Sequence, residues 1–98
     1  MIQYVFNGKL WASNRPGGWH LVTIPANISK EILVLHNEMD PGKKSLPSTI
    51  TVGKTRWTTS IFFDNGLNVY LVPLKGEVRK KEKLSIGDIV EIKIDLIF

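Results

Sequence analysis

Apolar and polar residues alternate with a period of two near the end of the chain. Four apolar residues occupy every second position there: Val90, Ile92, Ile94 and Leu96. The three residues between them are charged: Glu91, Lys93 and Asp95. This pattern predicts a β-strand with one buried face and one face in water. The turn-forming pair Gly87-Asp88 leads into it.

The stretch before that strand predicts a strand followed by a short basic helix. Residues 69–74 are almost entirely apolar, which is typical of a buried strand. Farther along, Val78 and Leu84 can anchor only about two turns of helix. Most of the remaining helix surface is cationic, with Arg79, Lys80, Lys81 and Lys83.

The clearest local signal in the chain is a β-hairpin. The pair Gly53-Lys54 separates two alternating segments, residues 46–52 and 55–62, and fits a two-residue type II′ turn. That turn fixes the register, with these pairs of opposite residues: Val52 and Thr55, Ile50 and Trp57, Ser48 and Thr59, Leu46 and Ile61. We expect this face to be core, with Trp57 packed in it. The opposite face is polar, with Thr49, Thr51, Arg56, Thr58 and Ser60.

The first half of the chain predicts two strands and a helix. Residues 2–10 and 19–24 are the strand candidates, separated by a loop rich in Gly and Pro. After Pro25, we expect Asn27 or Ser29 to cap a helix of about ten residues. Its apolar stripe consists of Ile28, Ile32 and Leu35. Residues 36–44 are the longest polar connection, and we expect them to be the most mobile.

Two passages of the chain resemble each other at an offset of fifty residues. Residues 19–28 match residues 69–78 in apolar pattern, and both contain Leu-Val. Each passage follows a strand and precedes a helix, a connection and another strand, so the predicted order is β-β-α-β twice. The alternative is a chance match between two amphipathic passages. Strands joined largely by hairpins favour a small β-barrel or pseudo-barrel, because closure leaves no unpaired strand edge.

The composition is that of one ordinary globular domain spanning residues 1–98. Apolar residues make up 43% and charged residues 22% of its 98 residues. Without cysteine there is no disulfide and no thiolate site, and no apolar run approaches a membrane span. We therefore expect a cytoplasmic protein that does not associate with membranes. Its formal net charge of +4 permits attraction to anionic partners.

Five short motifs together resemble a known family. They are Gly18-Trp19-x-Leu21-Val22-x-Ile24-Pro25, Trp57-Thr58-Thr59-Ser60-Ile61-Phe62, Tyr70-Leu71-Val72-Pro73-Leu74-Lys75, Val78-Arg79-Lys80 and Leu84-x-x-Gly87-Asp88-x-Val90. Over about residues 3–95 the chain is similar to the domain of unknown function 1905 family. The resemblance implies a double-split β-barrel, an architecture shared with swapped-hairpin bacterial DNA-binding regulators and antitoxins. It implies little about activity.

Arg79 is the first candidate for a binding residue, since it lies in the Val-Arg-Lys motif of that resemblance. Its planar guanidinium offers a fork of donors to an anion. The predicted ligand site lies beside the second helix and comprises Trp19, Tyr70, Gly76, Arg79 and Lys80. The alternative is structural, with Arg79 in an ion pair with Glu77 or Asp88.

Nucleic acid is an alternative partner for the same region. The candidate phosphate-binding residues are Lys75, Arg79, Lys80, Lys81 and Lys83. A solvated helix surface explains these charges at least as well. Three tryptophans, Trp11, Trp19 and Trp57, are able to stack on a base or another flat ligand.

No residue pattern predicts catalysis, a metal site or a cofactor. The segment His36-Asn37-Glu38-Met39-Asp40 has no established ligand spacing, and no nucleophile–base order or phosphate-binding Gly loop is present. We therefore expect a monomeric binding or interaction module for an anionic ligand or a protein partner. A nucleic-acid-binding barrel is the alternative, and a small hydrolase or metal-dependent enzyme ranks third.

Overall fold

The computed structural model describes residues 2–14 and 18–97. In that part of the chain, the order of elements is β-β-α-β repeated once. The elements are β1 (Ile2–Ala12), β2 (His20–Thr23), α1 (Ala26–Met39), β3 (Ser45–Val52), β4 (Thr55–Asp64), β5 (Val69–Pro73), α2 (Gly76–Lys81) and β6 (Ile89–Leu96). Residues 15–17, part of the predicted Gly- and Pro-rich loop, lie outside the described residues.

The six strands form a closed antiparallel barrel. Their order around the barrel is β1-β2-β5-β4-β3-β6, and β6 pairs with β1 to close it. The predicted fold, a mainly β small barrel with two short helices, is confirmed.

The strand pairing has an internal two-fold symmetry. Exchanging β1 with β4, β2 with β5 and β3 with β6 leaves the set of paired strands unchanged. Val22 pairs with Val72 at the centre of the β2–β5 ladder, and these residues are fifty positions apart. The topology therefore has the symmetry that the fifty-residue repeat requires.

The β3–β4 hairpin has the predicted register at every expected pair. Gly53 adopts a φ of +57°, which the first central position of a type II′ turn requires. The side chain of Glu82, just after α2, lies against Gly53 and accepts a hydrogen bond from Thr55 Oγ1 at 2.6 Å. The hairpin turn is thereby fastened to the end of α2.

The inward side chains of the barrel pack with buried side chains of the two helices into one apolar core. Its fully buried members include Leu10, Val22, Ile24, Ile32, Ile50, Ile61, Tyr70, Ile92 and Ile94. Trp57 packs against this core but is only partly buried. Asp95 departs from its expected position in water: it is 6% exposed and accepts a hydrogen bond from Gln3 Nε2 at 2.7 Å. Asp95 pairs in register with Gln3 on β1 and with Thr49 on β3. A neighbouring strand on each side of β6 therefore covers Asp95.

Helix α1 is longer than predicted and begins differently. It has 14 residues, its N-cap is Pro25, and no side chain caps it. The expected cap at Asn27 or Ser29 is therefore wrong. The Ser29 hydroxyl instead donates to the Ile24 carbonyl and accepts from the Tyr70 N–H, each at 3.0 Å.

The predicted mobile connection at residues 36–44 is partly helical. His36, expected in this connection, lies in the last turns of α1 and is buried. Its ring is within 2.7 Å of both the Tyr70 hydroxyl and the Lys43 carbonyl. These two tertiary hydrogen bonds pack the polar end of the helix against the barrel.

Helix α2 is as short as predicted, with six residues. Lys83 adopts the left-handed conformation at a φ of +54°, and Leu84 N donates to the Arg79 carbonyl at 2.8 Å. Lys83 N donates to the Lys80 carbonyl at 3.3 Å, which completes a Schellman motif that ends the helix. None of the described helices is long and apolar enough to cross a membrane.

Candidate functional site

The unequal lengths of the two helices leave a cleft beside α2, the shorter helix. In the first half, α1 continues beyond its second turn, and His36 in its last turns bonds to the fully buried Tyr70. The residue fifty positions before Tyr70 is His20, which is only partly buried. Because α2 stops after six residues, no helical turn covers His20 as α1 covers Tyr70.

This basic cleft has a volume of about 490 Å³. Its walls come from β2, β4, β5 and α2, together with the residues flanking β2 and β5. They are Gly18, Trp19, His20, Trp57, Thr58, Thr59, Pro73, Leu74, Lys75 and Arg79. A cleft of this size is typical of small-molecule sites.

Arg79 is held in the cleft by one hydrogen bond to the backbone. Its Nε donates to the Leu74 carbonyl at 3.1 Å. Fifty positions earlier in the chain, Ser29 donates to the Ile24 carbonyl, so both halves use the same bonding position. The two-fold repeat therefore explains why position 79, like position 29, carries a side chain that donates to a backbone carbonyl.

The remaining donors of Arg79 have no partner among the described residues. The alternative ion pair with Glu77 or Asp88 does not form there: the single salt bridge of the described chain joins Lys43 and Asp40. The Asp88 carboxylate instead accepts a hydrogen bond from Ser85 N at 2.8 Å. The two Nη groups of Arg79 are thus available to an anion.

Two indole rings and one imidazole give the cleft its flat walls. Trp57 rests on the core below, whereas Trp19 is 54% exposed. His20 Nδ1 lies 2.9 Å from the Gly18 carbonyl. Because a carbonyl can only accept, Nδ1 is the donor, and Nε2 of the neutral ring is an acceptor without a partner among the described residues.

The structure brings part of the predicted ligand site together. Trp19 and Arg79 both line the basic cleft, and Lys75 from the nucleic-acid set joins them. Gly76 begins α2, where an added side chain would contact the Arg79 guanidinium. Lys80 and Lys81 on α2, and Lys83 just after it, are exposed and do not line the cleft.

Tyr70 does not reach the cleft. It is fully buried, its hydroxyl is bonded to His36, and burial raises its pKa to about 12. Trp57, which the sequence placed in the core while its ring is able to stack on a flat ligand, also lines the cleft, and so do His20, Thr58 and Thr59, to which the sequence assigned no ligand role. The fifty-residue repeat carried a signal for His20, since it aligns His20, and not Trp19, with Tyr70.

The cleft offers chemistry for binding an organic anion. Arg79 and Lys75 supply positive charge, and Trp19 and Trp57 supply apolar surface. Within residues 2–14 and 18–97, no group of three His, Asp or Glu side chains is placed to hold a metal ion.

Comparison with known proteins identifies the family. A family model described as domain of unknown function (DUF1905) matches residues 6–94, a span that contains every residue of the basic cleft. No curated protein matches the chain.

Proposed function

The chain belongs to the DUF1905 family, and we propose that it is a binding protein for a small organic anion. The ligand's anionic group binds Arg79, and its flat apolar body lies against Trp19 and Trp57. The family description assigns no activity, so the proposal depends on the basic cleft alone.

The main support for the proposal is the way in which Arg79 is hydrogen-bonded. Its Nε is fixed on the Leu74 carbonyl, which orients the guanidinium plane, while no described residue occupies the Nη groups. A carboxylate or phosphate can accept hydrogen bonds from both Nη groups at once. An arginine that served only to brace α2 would need no open cleft in front of it.

The surroundings of Arg79 also favour a small ligand over bulk solvent. The cleft volume of about 490 Å³ suits a molecule with one or two rings. Lys75 adds a second cation, and His20 Nε2 adds a hydrogen-bond acceptor beside the cationic donors. A ligand that carries both an anionic group and a hydrogen-bond donor, such as a hydroxyl, can bind all three groups: Arg79, Lys75 and His20.

A thermal-shift and calorimetric titration tests this function with matched probes. Benzoate and phenyl phosphate represent the anion, and benzamide is the uncharged analogue. We expect the anions to raise the melting temperature and benzamide to have no effect, because ligand binding to the folded state stabilises it. The proposal is wrong if neither anion binds at millimolar concentration.

Two charge-matched variants localise the binding. Arg79→Gln removes the guanidinium yet keeps a donor for Leu74, and should weaken anion binding at least tenfold. Lys93→Gln removes one charge on β6, which pairs with β1 and β3 only, and should bind as the wild type does. Equal losses in both variants would indicate non-specific charge attraction.

Nucleic acid binding is the second candidate, supported by the density of positive charge around α2. Five cations lie within nine residues: Lys75, Arg79, Lys80, Lys81 and Lys83. Four of them are lysines exposed to solvent. This arrangement suits phosphate neutralisation, which carries a steep dependence on salt.

A double charge reversal separates the two candidates. If the cations around α2 bind duplex DNA, reversing Lys80 and Lys81 to Glu should flatten the plot of log affinity against log salt by about 0.9 per lost contact. The same variant should leave benzoate binding intact, since neither lysine lines the basic cleft. Absence of DNA binding at low salt in the wild type removes this candidate.

A further inference from the structure

A second cleft lies on the outside of the barrel, where β1, β2, β5 and β4 run side by side. It has a volume of about 490 Å³, and we refer to it as the aromatic cleft. Three aromatic side chains line it, Trp11, Trp19 and Phe62, and the outward side chains of Leu21 and Leu71 form its floor. This surface is apolar although it faces away from the core.

Two of the three aromatic rings in this cleft, those of Trp19 and Phe62, stand nearly perpendicular to each other. Trp19 and Phe62 have ring centroids 6.0 Å apart and an interplanar angle of 88°. The Trp11 ring is fixed because its Nε1 donates to Thr23 Oγ1 at 2.9 Å. Rings set at right angles present both a face and an edge to one space, which is the arrangement of an aromatic cage.

Among the described residues, the charge at the edge of the aromatic cleft is negative. No lysine or arginine is among its described lining residues, in contrast to the basic cleft. Asp64 is there: its Oδ1 accepts a hydrogen bond from Leu67 N at 2.9 Å, and no described residue bonds to its Oδ2. The cleft therefore combines aromatic faces, which carry negative electrostatic potential, with a carboxylate oxygen that no described residue binds.

We propose that the aromatic cleft binds an organic cation of the quaternary or methylated ammonium class. Cations of this kind are attracted to the faces of Trp and Phe, and their methyl groups suit the apolar floor. Asp64 selects for positive charge and against the anions that the basic cleft attracts. The site is separate from the proposed anion site, and Trp19 is the one described residue that lines both.

Choline and its uncharged carbon analogue, 3,3-dimethyl-1-butanol, test the proposal because they have nearly the same shape. Titrations followed by tryptophan fluorescence and by NMR should show saturable binding of choline, about tenfold tighter than that of the analogue. Equal affinity for the two, or no saturable binding of choline, overturns the proposal.

Two variants assign the binding to named side chains. Phe62→Leu keeps an apolar residue but removes a ring, and Asp64→Asn keeps the acceptor for Leu67 but removes the charge. Each should weaken choline binding several-fold, whereas Lys93→Gln on β6 should bind as the wild type does. If Phe62→Leu fails to fold, Asp64→Asn decides the matter alone: unchanged choline affinity in that variant overturns the proposal.

Discussion

Tyr70 shows how one side chain joins a helix to the barrel. It is fully buried, and its hydroxyl lies 2.7 Å from His36 Nδ1. His36 Nε2 must donate to the Lys43 carbonyl, so in the neutral ring Nδ1 accepts the proton of Tyr70. This arrangement requires a neutral phenol, and burial raises the pKa of Tyr70 to about 12.

Alkaline pH should therefore destabilise the protein through Tyr70. The pKa in the folded state exceeds the ordinary value of 10.0, so stability is intact below pH 10 and falls as pH rises toward 12. The slope is at most about 1.4 kcal/mol per pH unit for one group. Urea unfolding from pH 8 to 11.5 should show a shallower decline for Tyr70→Phe than for the wild type. Tyr4 is present in both proteins, and parallel curves would contradict the assignment to Tyr70.

The hairpin register gives a second prediction at the scale of residues. Ile50 is fully buried opposite Trp57, whereas Thr58 on the neighbouring strand is exposed. Ile50→Ala should lower the free energy of unfolding by about 2–5 kcal/mol, and Thr58→Ala by less than about 0.5 kcal/mol. Denaturant unfolding monitored by circular dichroism measures both. Similar losses for the two variants would contradict the assigned faces.

The sequence placed Trp19, Arg79 and Tyr70 in one predicted ligand site; the first two line the basic cleft, whereas Tyr70 is fully buried. The fifty-residue repeat aligns Trp19 with Val69, one position before Tyr70. Successive strand residues point to opposite faces, and Tyr70 lies one position beyond the equivalent of Trp19. The side chain of Tyr70 therefore points into the core. His20 lines the basic cleft because α2 stops after six residues and leaves it uncovered, an effect that depends on how the two halves pack and not on the residues next to His20.

At the scale of elements, local signals predicted the hairpin better than the helices. Gly53-Lys54 fixes the β3–β4 register through turn geometry alone, and that prediction is confirmed. The length of α1 depends on the hydrogen bonds of His36 with Tyr70 and Lys43, which are distant or non-helical partners. Residues 36–39 are therefore helical despite their loop-like sequence.

Ser29 is expected to matter more than Asn27, the other residue suggested as a cap. Ser29 is buried, and removing its hydroxyl leaves the Tyr70 N–H and the Ile24 carbonyl without the hydrogen bonds that it makes with them. Ser29→Ala should lower the free energy of unfolding by about 1–3 kcal/mol, the usual cost of buried polar groups left without partners. Asn27→Ala, at an exposed position, should change it by less than about 0.5 kcal/mol in the same urea titration. A larger effect at Asn27 would restore the capping interpretation.

The end of α2 offers an opportunity for stabilisation. Lys83 occupies a left-handed position that glycine adopts without steric cost. Lys83→Gly should raise the free energy of unfolding by up to about 1 kcal/mol. Lys80→Gly, inside the helix, should lower it by about 1 kcal/mol. Differential scanning calorimetry should place the two melting temperatures on opposite sides of the wild-type value, and a shift in the same direction would contradict the Schellman assignment.

At the scale of the whole molecule, the two β-β-α-β halves depend on each other. The ladders between halves are β2–β5, β3–β4, β3–β6 and β1–β6, while β1–β2 and β4–β5 lie within one half. Four of the six ladders are therefore lost when the halves separate. Neither half alone can close a barrel or bury the shared core.

Fragment complementation tests this interdependence. Fragments 1–53 and 54–98, divided within the β3–β4 turn, should each lack a cooperative unfolding transition. Mixed in equal amounts, they should regain β-sheet circular dichroism and melt cooperatively, with a midpoint that rises with concentration. A fragment that unfolds cooperatively by itself would show that its half is an autonomous unit.

Trp19 lies in the walls of both clefts and is more than half exposed. One indole ring has a single orientation at a time, so a ligand that reorients it in the basic cleft also reshapes the aromatic cleft. Thermodynamic linkage then makes the effect reciprocal: the factor by which an anion changes the affinity for a cation equals the factor by which the cation changes the affinity for the anion. A zwitterion that carries both groups would engage the two clefts across the same ring.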